Sequence, residues 1–355
     1  DWSSDVCSSD LKEVKTYNDT GDAMKLLLSI FFMFQVVCSK VEFYGGSYLV
    51  YDSYNDYVVE SSNENKRQSV ASISKIMTAI LVIENSRLDK KIRVDETINK
   101  AYGSCVYIHI KDKMTIQDLL YGLMLRSGND CALMLAKSVG GSVNHFVEMM
   151  NEKAQELNMK DSHFSNPSGL DEEDEGNVST VKDMALLYDY CCQNPIFNEI
   201  VQTKVYKRQD GMGSWHNKNR LLKDYSYCVG GKTGFTKKAR RTLITRAIKG
   251  DHDLIIVTFN CGNDFEFHKK KYEECFETME KQVLFDKGVY VIGGKPYLFD
   301  ESLFIEKKKE DCVSYIIKDE SVYLYVNQHY IRKQKLKRFC FVDLYQMILK
   351  DLFYE

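Results

Sequence analysis

The sequence predicts an α+β protein in which an antiparallel sheet packs with a helical cluster, plus a small C-terminal β-rich domain. Two pairs of short β-prone runs, at 48–60 and 242–259, are each joined by a polar turn and are typical of antiparallel hairpins. Between them, residues 76–83 are apolar on nearly every side, and residues 116–157 carry apolar side chains at helical spacing. After about residue 284 the helical period gives way to short β-prone pieces, which indicates a separate region.

The bulk composition limits the classes of partner. The chain has 355 residues, enough for one large domain and a smaller one. Its formal net charge of −3 and its pI of about 6.2 give no electrostatic basis for binding nucleic acid. We therefore expect no nucleic-acid partner.

The first residues divide into an excluded opening and a candidate export signal. Asp1–Leu11 resembles a translated sequencing adapter, and we interpret residues 1–23 as non-native or upstream sequence. Met24-Lys25 is followed by an apolar run and then small residues, the pattern of a secretory signal peptide over residues 24–39. The run is too short to span a bilayer comfortably, so we expect an exported protein.

The cysteines do not suggest a disulfide framework. Of the eleven, Cys7 and Cys38 fall in the segments set aside above, which leaves an odd number. There is no Cys-x-x-Cys pair or metal-ligand spacing, and adjacent Cys191 and Cys192 have poor geometry for bridging each other. We expect isolated thiols that act as small hydrophobic side chains, and no metal site.

Ser72 and Lys75 form the first candidate catalytic pair. Three residues on a helix are close to one turn, so Lys75 returns to the face of Ser72 and can accept its proton. The apolar run that follows predicts burial, which lowers the pKa of a lysine. A helix N-terminus here also directs unpaired backbone N–H groups toward a developing oxyanion. By itself, Ser-x-x-Lys is common in helices as a cap serine with a solvated lysine.

Two further motifs change the weight of this pair. Residues 127–129 (Ser-Gly-Asn) separate two helical patterns, the first of them preceded by a Thr115-x-x-Asp118 cap. Residues 232–234 (Lys-Thr-Gly) lead into a strand-like run, and a fixed ammonium beside a hydroxyl suits a carboxylate. Ser-x-x-Lys, Ser-x-Asn and Lys-Thr-Gly in this order are typical of penicillin-binding proteins and class A β-lactamases.

On these motifs the chain resembles the low-molecular-weight penicillin-binding proteins, serine-type D-alanyl-D-alanine carboxypeptidases of peptidase family S11. Asn166–Asp171 is similar to the family's Asn-Pro-x-Gly-Leu-Asp segment, and residues 217–222 to its Asn-x-Asn-Leu-Leu approach to the Lys-Thr-Gly strand. The resemblance covers about residues 45–285. Gly128 in the second motif favours carboxypeptidases over class A β-lactamases, which usually have aspartate there. Asn177 departs from the family, which often has histidine at this position.

The resemblance implies a three-layer β-lactamase/transpeptidase-like fold and removal of the terminal D-alanine from peptidoglycan pentapeptides through an acyl-enzyme. It implies no cofactor, and β-lactam antibiotics as covalent inhibitors. The oxyanion would rest on backbone N–H groups of Ser72 and Phe235. The residues that would act are the nucleophile Ser72, the base Lys75, the proton relay Ser127, and the substrate-binding Asn129, Lys232, Thr233 and Gly234.

The expected organisation after the signal is a catalytic domain at 40–284, a small β-rich domain at 285–337 and an amphipathic helix at 338–355. Basic residues at 332–338 precede apolar residues at helical spacing, which fits a helix lying on an anionic membrane. A helix packed on its own domain is the alternative. The expected location is the cell wall or the outer face of the cytoplasmic membrane.

Other functions of the same fold stay open at this stage. A β-lactamase would share the three motifs but needs fast deacylation, and the Glu-x-x-Leu-Asn segment of class A enzymes is not found. A DD-endopeptidase would cut cross-links with the same residues. A non-catalytic penicillin-binding or cell-wall-binding protein would retain the ligand without turnover.

Overall fold

The structure, a computed structural model, describes residues 43–171 and 176–340. Its helices are α1 (Lys75–Asn85), α2 (Ile116–Arg126), α3 (Asn129–Gly140), α4 (Val143–Glu156), α5 (Val181–Cys192), α6 (Pro195–Gln202), α7 (Leu221–Asp224) and α8 (Asp264–Thr278), with 3-10 turns at Ala71–Ser74 and Glu96–Lys100.

The strands up to the end of the main sheet are β1 (Ser47–Asp52), β2 (Tyr57–Ser62), β3 (Gln68–Ser69), β4 (Lys91–Arg93), β5 (Lys113–Thr115), β6 (Val178–Ser179), β7 (Val205–Lys207), β8 (Ser214–His216), β9 (Cys228–Thr236), β10 (Arg240–Lys249) and β11 (His252–Phe259). Those that follow are β12 (Met279–Phe285), β13 (Gly288–Ile292), β14 (Lys295–Phe299), β15 (Leu303–Lys308), β16 (Val313–Lys318), β17 (Ser321–Val326), β18 (His329–Lys335) and β19 (Lys337–Arg338).

A five-stranded antiparallel sheet in the order β2-β1-β11-β10-β9 forms the middle layer. Because side chains alternate along a strand, β1 contributes to a core on each face: Leu49 and Tyr51 to one, Tyr48 and Val50 to the other. Helices α1 to α6 cover the first face, and α8 covers the second with Phe267, Tyr272 and Phe276 among its buried residues. The predicted fold class, a three-layer antiparallel sheet packed with helices, is confirmed.

Local capping places the start of α2 where the sequence predicts it, and α4 begins with a cap of the same kind. The Thr115 hydroxyl accepts a hydrogen bond from the N–H of Asp118, and the Ser142 hydroxyl accepts one from the N–H of His145. The start of α1 differs from the expectation. Residues 71–74 form a 3-10 turn, and the α-helix begins at Lys75 rather than at Ser72.

The C-terminal β-rich region is also confirmed, and it has its own small core, which includes Leu303, Ile305 and Leu324. The region begins earlier than expected, because β12 pairs with β15 from Met279 onward. Arg338 was expected to open the amphipathic helix, but β14 pairs with it as part of a sheet. Residues 339 and 340 are not helical either, and the remainder of the predicted helix, 341–355, and the predicted signal peptide at 24–39 lie outside the described residues.

Across the described residues, every helix is either too short or too polar to cross a lipid bilayer.

Candidate active site

The Ser72–Lys75 pair lies at the junction of the 3-10 turn and α1. Lys75 Nζ is 3.0 Å from Ser72 Oγ, which is hydrogen-bonding distance. The turn is held in an uncommon backbone conformation, since Ala71 has a φ of 51°. Gly169 fits against the Ala71 carbonyl, where a Cβ atom would collide with it. This contact packs the 166–171 loop directly against the turn that carries Ser72.

Lys75 is fully buried, and none of its hydrogen-bond partners among the described residues is a carboxylate. Its ammonium nitrogen is 2.7 Å from Asn129 Oδ1, and it also donates to the Ser168 carbonyl. Burial, and after it the positive charge of Lys218, lower the pKa of Lys75 from 10.5 to about 7. A large share of this amine is therefore neutral near pH 7, the form that can accept a proton from Ser72.

Ser127 and Lys232 form a second hydroxyl–amine pair. Ser127 ends α2 in a left-handed conformation, with a φ of 66°, and its Oγ is 3.0 Å from Lys232 Nζ. Lys232 is 2% exposed, and burial together with the charges of Lys75 and Lys218 holds its pKa well below the usual value. Both pairs thus combine a hydroxyl with an amine whose proton is weakly held.

Strand β9 carries Lys232, Thr233 and Gly234 past the nucleophile. A Cβ atom at Gly234 would lie 3.0 Å from the Ser72 amide nitrogen and would collide with the Thr242 hydroxyl. The absence of a side chain is therefore what lets the strand backbone approach Ser72 this closely.

A cleft of about 270 Å³ joins these groups, and Ser72, Ser127, Thr233 and Gly234 line it. The remaining sequence-predicted residues lie beneath it. Lys75 and Lys232 bond to the two hydroxyls, and Asn129 is 2% exposed, with its amide bonded to Lys75 and, through Nδ2, to the Tyr102 carbonyl at 2.6 Å. All seven predicted residues are thus brought to one place. The other residues that line the cleft are Ser104, Lys218, Phe235, Arg241 and Phe265.

Lys218 was missed by the sequence reasoning. It lies between Asn217 and Asn219, in a segment singled out for its asparagines, and it lines the cleft. Its own pKa is lowered by burial and by the charge of Arg126. The signal in the sequence was a lysine, to which no role had been given, inside a segment that resembles a family motif. Arg241 also lines the cleft and forms an ion pair with Asp264 at 2.6 Å.

Asn177, at the position where the family often has histidine, stabilises the neighbouring loop through hydrogen bonds to its backbone. Its Oδ1 accepts hydrogen bonds from the backbone N–H groups of Ser165 and Asn166, at 2.8 and 3.0 Å. Its Nδ2 donates to the Asn166 carbonyl at 2.8 Å. The side chain thereby fixes the loop whose Ser168 carbonyl accepts from Lys75, and a neutral amide is enough for this task.

Burial keeps several cysteine thiols in the described part of the chain protonated and therefore weakly nucleophilic. The free thiols there include buried Cys131, Cys191 and Cys275, and burial raises the pKa of each. No group of three or more histidine, cysteine or acidic side chains at 43–171 or 176–340 is arranged to hold a metal ion.

Comparison with known proteins connects this site to one enzyme family. The family model of the D-alanyl-D-alanine carboxypeptidases, peptidase family S11, matches residues 35–263. The carboxypeptidase DacF of Bacillus subtilis is 33% identical over 217 residues, which are 59% of this chain and 55% of that protein. A D-alanyl-D-alanine carboxypeptidase of Streptomyces is 33% identical over 211 residues, which are 53% of this chain and 71% of the relative. The match therefore spans about half the length of the first relative.

Solved structures show the same fold. A D-alanyl-D-alanine carboxypeptidase from Mycobacterium tuberculosis superposes with a TM-score of 0.63 at 26% identity, covering 67% of this chain and 94% of that structure. Penicillin-binding protein 5 from Haemophilus influenzae gives a TM-score of 0.72 at 21% identity, over 84% of this chain and 98% of that structure. The second similarity supports the fold alone.

Proposed function

The chain belongs to the D-alanyl-D-alanine carboxypeptidase family, Peptidase S11, and from this premise we propose that it removes the terminal D-alanine from peptidoglycan pentapeptides. The observation that carries the proposal is the contact of Ser72 Oγ with a fully buried lysine amine at 3.0 Å. A serine hydroxyl becomes an effective nucleophile only when a neighbouring base takes its proton.

In the proposed reaction Ser72 attacks the carbonyl carbon between the last two D-alanines, and its proton passes to Lys75. The negative charge on the carbonyl oxygen is stabilised by backbone N–H groups, for which Ser72 and Phe235 are the candidates. Ser127 passes the proton taken up by Lys75 on to the leaving D-alanine amine, which returns Lys75 to its neutral form, and Lys232 Nζ at 3.0 Å orients the Ser127 hydroxyl. Water then attacks the acyl-enzyme and releases the shortened peptide.

The charge of the cleft supports a substrate with a free carboxylate. Lys218 lines the cleft and Lys232 bonds to Ser127 in its lining, while the charge of Arg241 is balanced by its ion pair with Asp264. The Thr233 hydroxyl lines the same cleft and can donate a hydrogen bond to a carboxylate oxygen. We assign Lys232, Thr233 and Gly234 to the terminal carboxylate, and Asn129 to the substrate peptide group. To bind the substrate, the Asn129 amide must give up its hydrogen bond to either Lys75 or the Tyr102 carbonyl.

The test uses the full chain and two substrates. Changing Ser72→Ala should abolish covalent labelling by a fluorescent penicillin and release of D-alanine from a pentapeptide, because the acyl bond has no oxygen on which to form. Ser214→Ala, at an exposed position on β8, is the control and should retain both activities. Labelling or D-alanine release that survives in Ser72→Ala would contradict the proposal.

We also propose that the enzyme acts outside the cytoplasmic membrane on peptidoglycan, and that β-lactams acylate Ser72. The membrane contact expected for the C-terminal segment stays a proposal on sequence grounds. Exposed Lys333 and Lys335 on β18 add positive charge just before that segment. Binding to anionic vesicles, but not to neutral ones, would support it. Equal recovery with both, or with neither, would contradict it.

A further inference from the structure

We propose that Asp171 is a positioning residue, which holds strand β9 at a fixed distance from the nucleophile turn and so sets the geometry in which the oxyanion is stabilised. The inference rests on the proposed function. It gives a role to the last residue of the Asn166–Asp171 segment, whose carboxylate the reaction itself does not use.

The Asp171 carboxylate bridges two of the three motif-bearing segments. Its Oδ1 accepts a hydrogen bond from Ser69 Oγ at 3.1 Å and another from Thr236 Oγ1 at 3.0 Å. Ser69 lies just before the turn that carries Ser72, and Thr236 lies at the end of β9, just after Gly234. A single oxygen atom therefore links the chain on one side of the oxyanion position to the chain on the other side.

The second carboxylate oxygen supports the same end of β9. Asp171 Oδ2 accepts from the backbone N–H of Lys238 at 3.3 Å, in the turn between β9 and β10. In that turn Thr236 Oγ1 also accepts from the N–H of Ala239 at 3.0 Å. The carboxylate thus holds both the end of β9 and the turn that follows it.

The position of Asp171 is itself fixed from the third motif. Its backbone carbonyl accepts from the Tyr102 hydroxyl at 3.1 Å, and the Tyr102 carbonyl accepts from Asn129 Nδ2 at 2.6 Å. Chain segments that carry all three motifs therefore connect to this one residue. A carboxylate held in this way can transmit the relative position of the segments to the cleft.

The distance that Asp171 controls is one on which the reaction depends. The β9 backbone at Gly234 leaves no room for a methyl group beside the Ser72 amide, so a small shift of β9 changes the space beside that N–H directly. A displacement of about 1 Å in a catalytic arrangement can reduce the rate by about a hundredfold. The stabilisation that hydrogen-bond donors give to an oxyanion is sensitive to the same displacement.

A separate contact lets the fold survive without the carboxylate. The Thr242 hydroxyl on β10 donates to the Val70 carbonyl at 3.0 Å, which ties the main sheet to the nucleophile turn. Strands β9 and β10 remain paired along their length. Removing the Asp171 carboxylate should therefore loosen the site while the sheet stays intact.

The first test compares Asp171→Ala with Asp161→Ala, an exposed acidic residue outside the cleft. We expect Asp171→Ala to reduce kcat for D-alanine release, and the rate of acylation by labelled penicillin, by about ten- to a hundredfold. KM should change less than kcat does, since no side chain assigned to substrate binding is removed. The thermal midpoint should stay near that of the wild type. Asp161→Ala should behave as the wild type.

A second test isolates the bridge and keeps the inference falsifiable if Asp171→Ala folds poorly. Ser69→Ala and Thr236→Val each remove one donor to Asp171 Oδ1, and each should slow acylation in a folded protein. Combined with Asp171→Ala, either change should add little, because the bridge is already absent. Full additivity, unchanged rates, or a loss of rate that only follows a loss of folded protein would overturn the inference. If the wild type acylates but releases no D-alanine, the proposed function fails while the acylation test of Asp171 stands.

Discussion

At the scale of single residues, the pKa values of the lysines at the cleft are lowered because no carboxylate bonds to their amines. Lys75 and Lys232 are buried and bond to hydroxyls, an amide and carbonyls. Lys218 adds a third positive charge, which disfavours protonation of the other two. An ammonium in such surroundings loses its proton more easily than in water, because it is shielded from solvent and bonds to no carboxylate, and the more distant charge of Asp130 only partly offsets this effect at Lys75.

This electrostatic arrangement predicts the pH dependence of acylation. The pKa of Lys75 is lowered to about 7, so its neutral form increases as the pH rises through 7. The rate of Ser72 acylation by a labelled penicillin should therefore rise between pH 6 and 8 and then level off. A rate that is flat or falls across this range would contradict the assignment of Lys75 as the base.

The change Lys218→Gln tests whether the positive charge of Lys218 lowers the pKa of Lys75. Removing this positive charge should raise the pKa of Lys75 and move the acidic limb of the acylation profile upward, by roughly half a unit to one unit. Lys223→Gln, at an exposed position on α7, is the matched control and should leave the profile in place. A shift toward lower pH, or the same shift in the control, would exclude the proposed electrostatic effect.

At the scale of elements, the site depends on the contact of one strand with one helical turn. Strand β9 is the outer strand of the main sheet, and it reaches the 3-10 turn because Gly234 presents no side chain there. The turn is fixed in its conformation by Ala71 and by the packing of Gly169 against it. The two elements therefore act as one rigid support for Ser72.

Gly234→Ala should disrupt this support. The new methyl group would meet the Thr242 hydroxyl and the Ser72 amide, so β9 must move away from the nucleophile. We expect acylation to slow by at least about tenfold, since a shift of a few tenths of an ångström already disturbs oxyanion contacts. Stopped-flow labelling with penicillin measures the rate. Gly262→Ala, where the methyl group meets open space, should acylate normally, and equal rates in both variants would refute the prediction.

At the scale of the whole molecule, a buried polar cluster joins the main sheet to the C-terminal region. Asp52 ends β1, His252 begins β11, and Glu306 lies on β15, where His252 Nδ1 is 2.9 Å from Glu306 Oε2. Burial, and after it the charge of Glu306, raise the pKa of Asp52 to about 7. The hydrogen bond with Glu306 raises the pKa of His252. Both groups hold protons more tightly in the folded state than in the unfolded state.

The sign of the resulting pH dependence follows from proton linkage. Because the pKa of Asp52 is raised from 3.8 to about 7, its contribution to the free energy of unfolding declines as the pH rises through that interval. His252 adds a decline above its unfolded pKa of 6.5. The stability gained by Asp52→Asn should therefore grow between pH 5 and 7, by up to about 1.4 kcal/mol per pH unit.

Urea unfolding of the full chain at pH 5, 6 and 7 measures this effect. The amide can be accommodated because Asn55 Oδ1 has no hydrogen-bond donor among the described residues, and a turn of the Asn55 side chain would provide an acceptor. Asp224→Asn, at an exposed position on α7, should give a curve parallel to the wild type. Parallel curves for Asp52→Asn would show that this carboxyl is not protonated in the folded state.

The sequence by itself determined the local structure and the identity of the family. The capping hydroxyl of Thr115 marked a helix start, and β-prone runs joined by polar turns marked the hairpins, because these signals act between residues close together in the chain. The three motifs in order identified the family and nominated Ser72, Lys75, Ser127 and Lys232. Their spacing along the chain could not give the distances between them.

Only the tertiary structure decided how those residues are arranged and tuned. It begins the α-helix at Lys75, places Lys218 in the cleft, bonds Lys75 to Asn129, and connects Asp171 to Ser69 and Thr236. It also places Arg338 in a sheet, paired with Tyr297 of β14. Such contacts join segments far apart in sequence, and both burial and the charges around an amine are set by everything packed beside it.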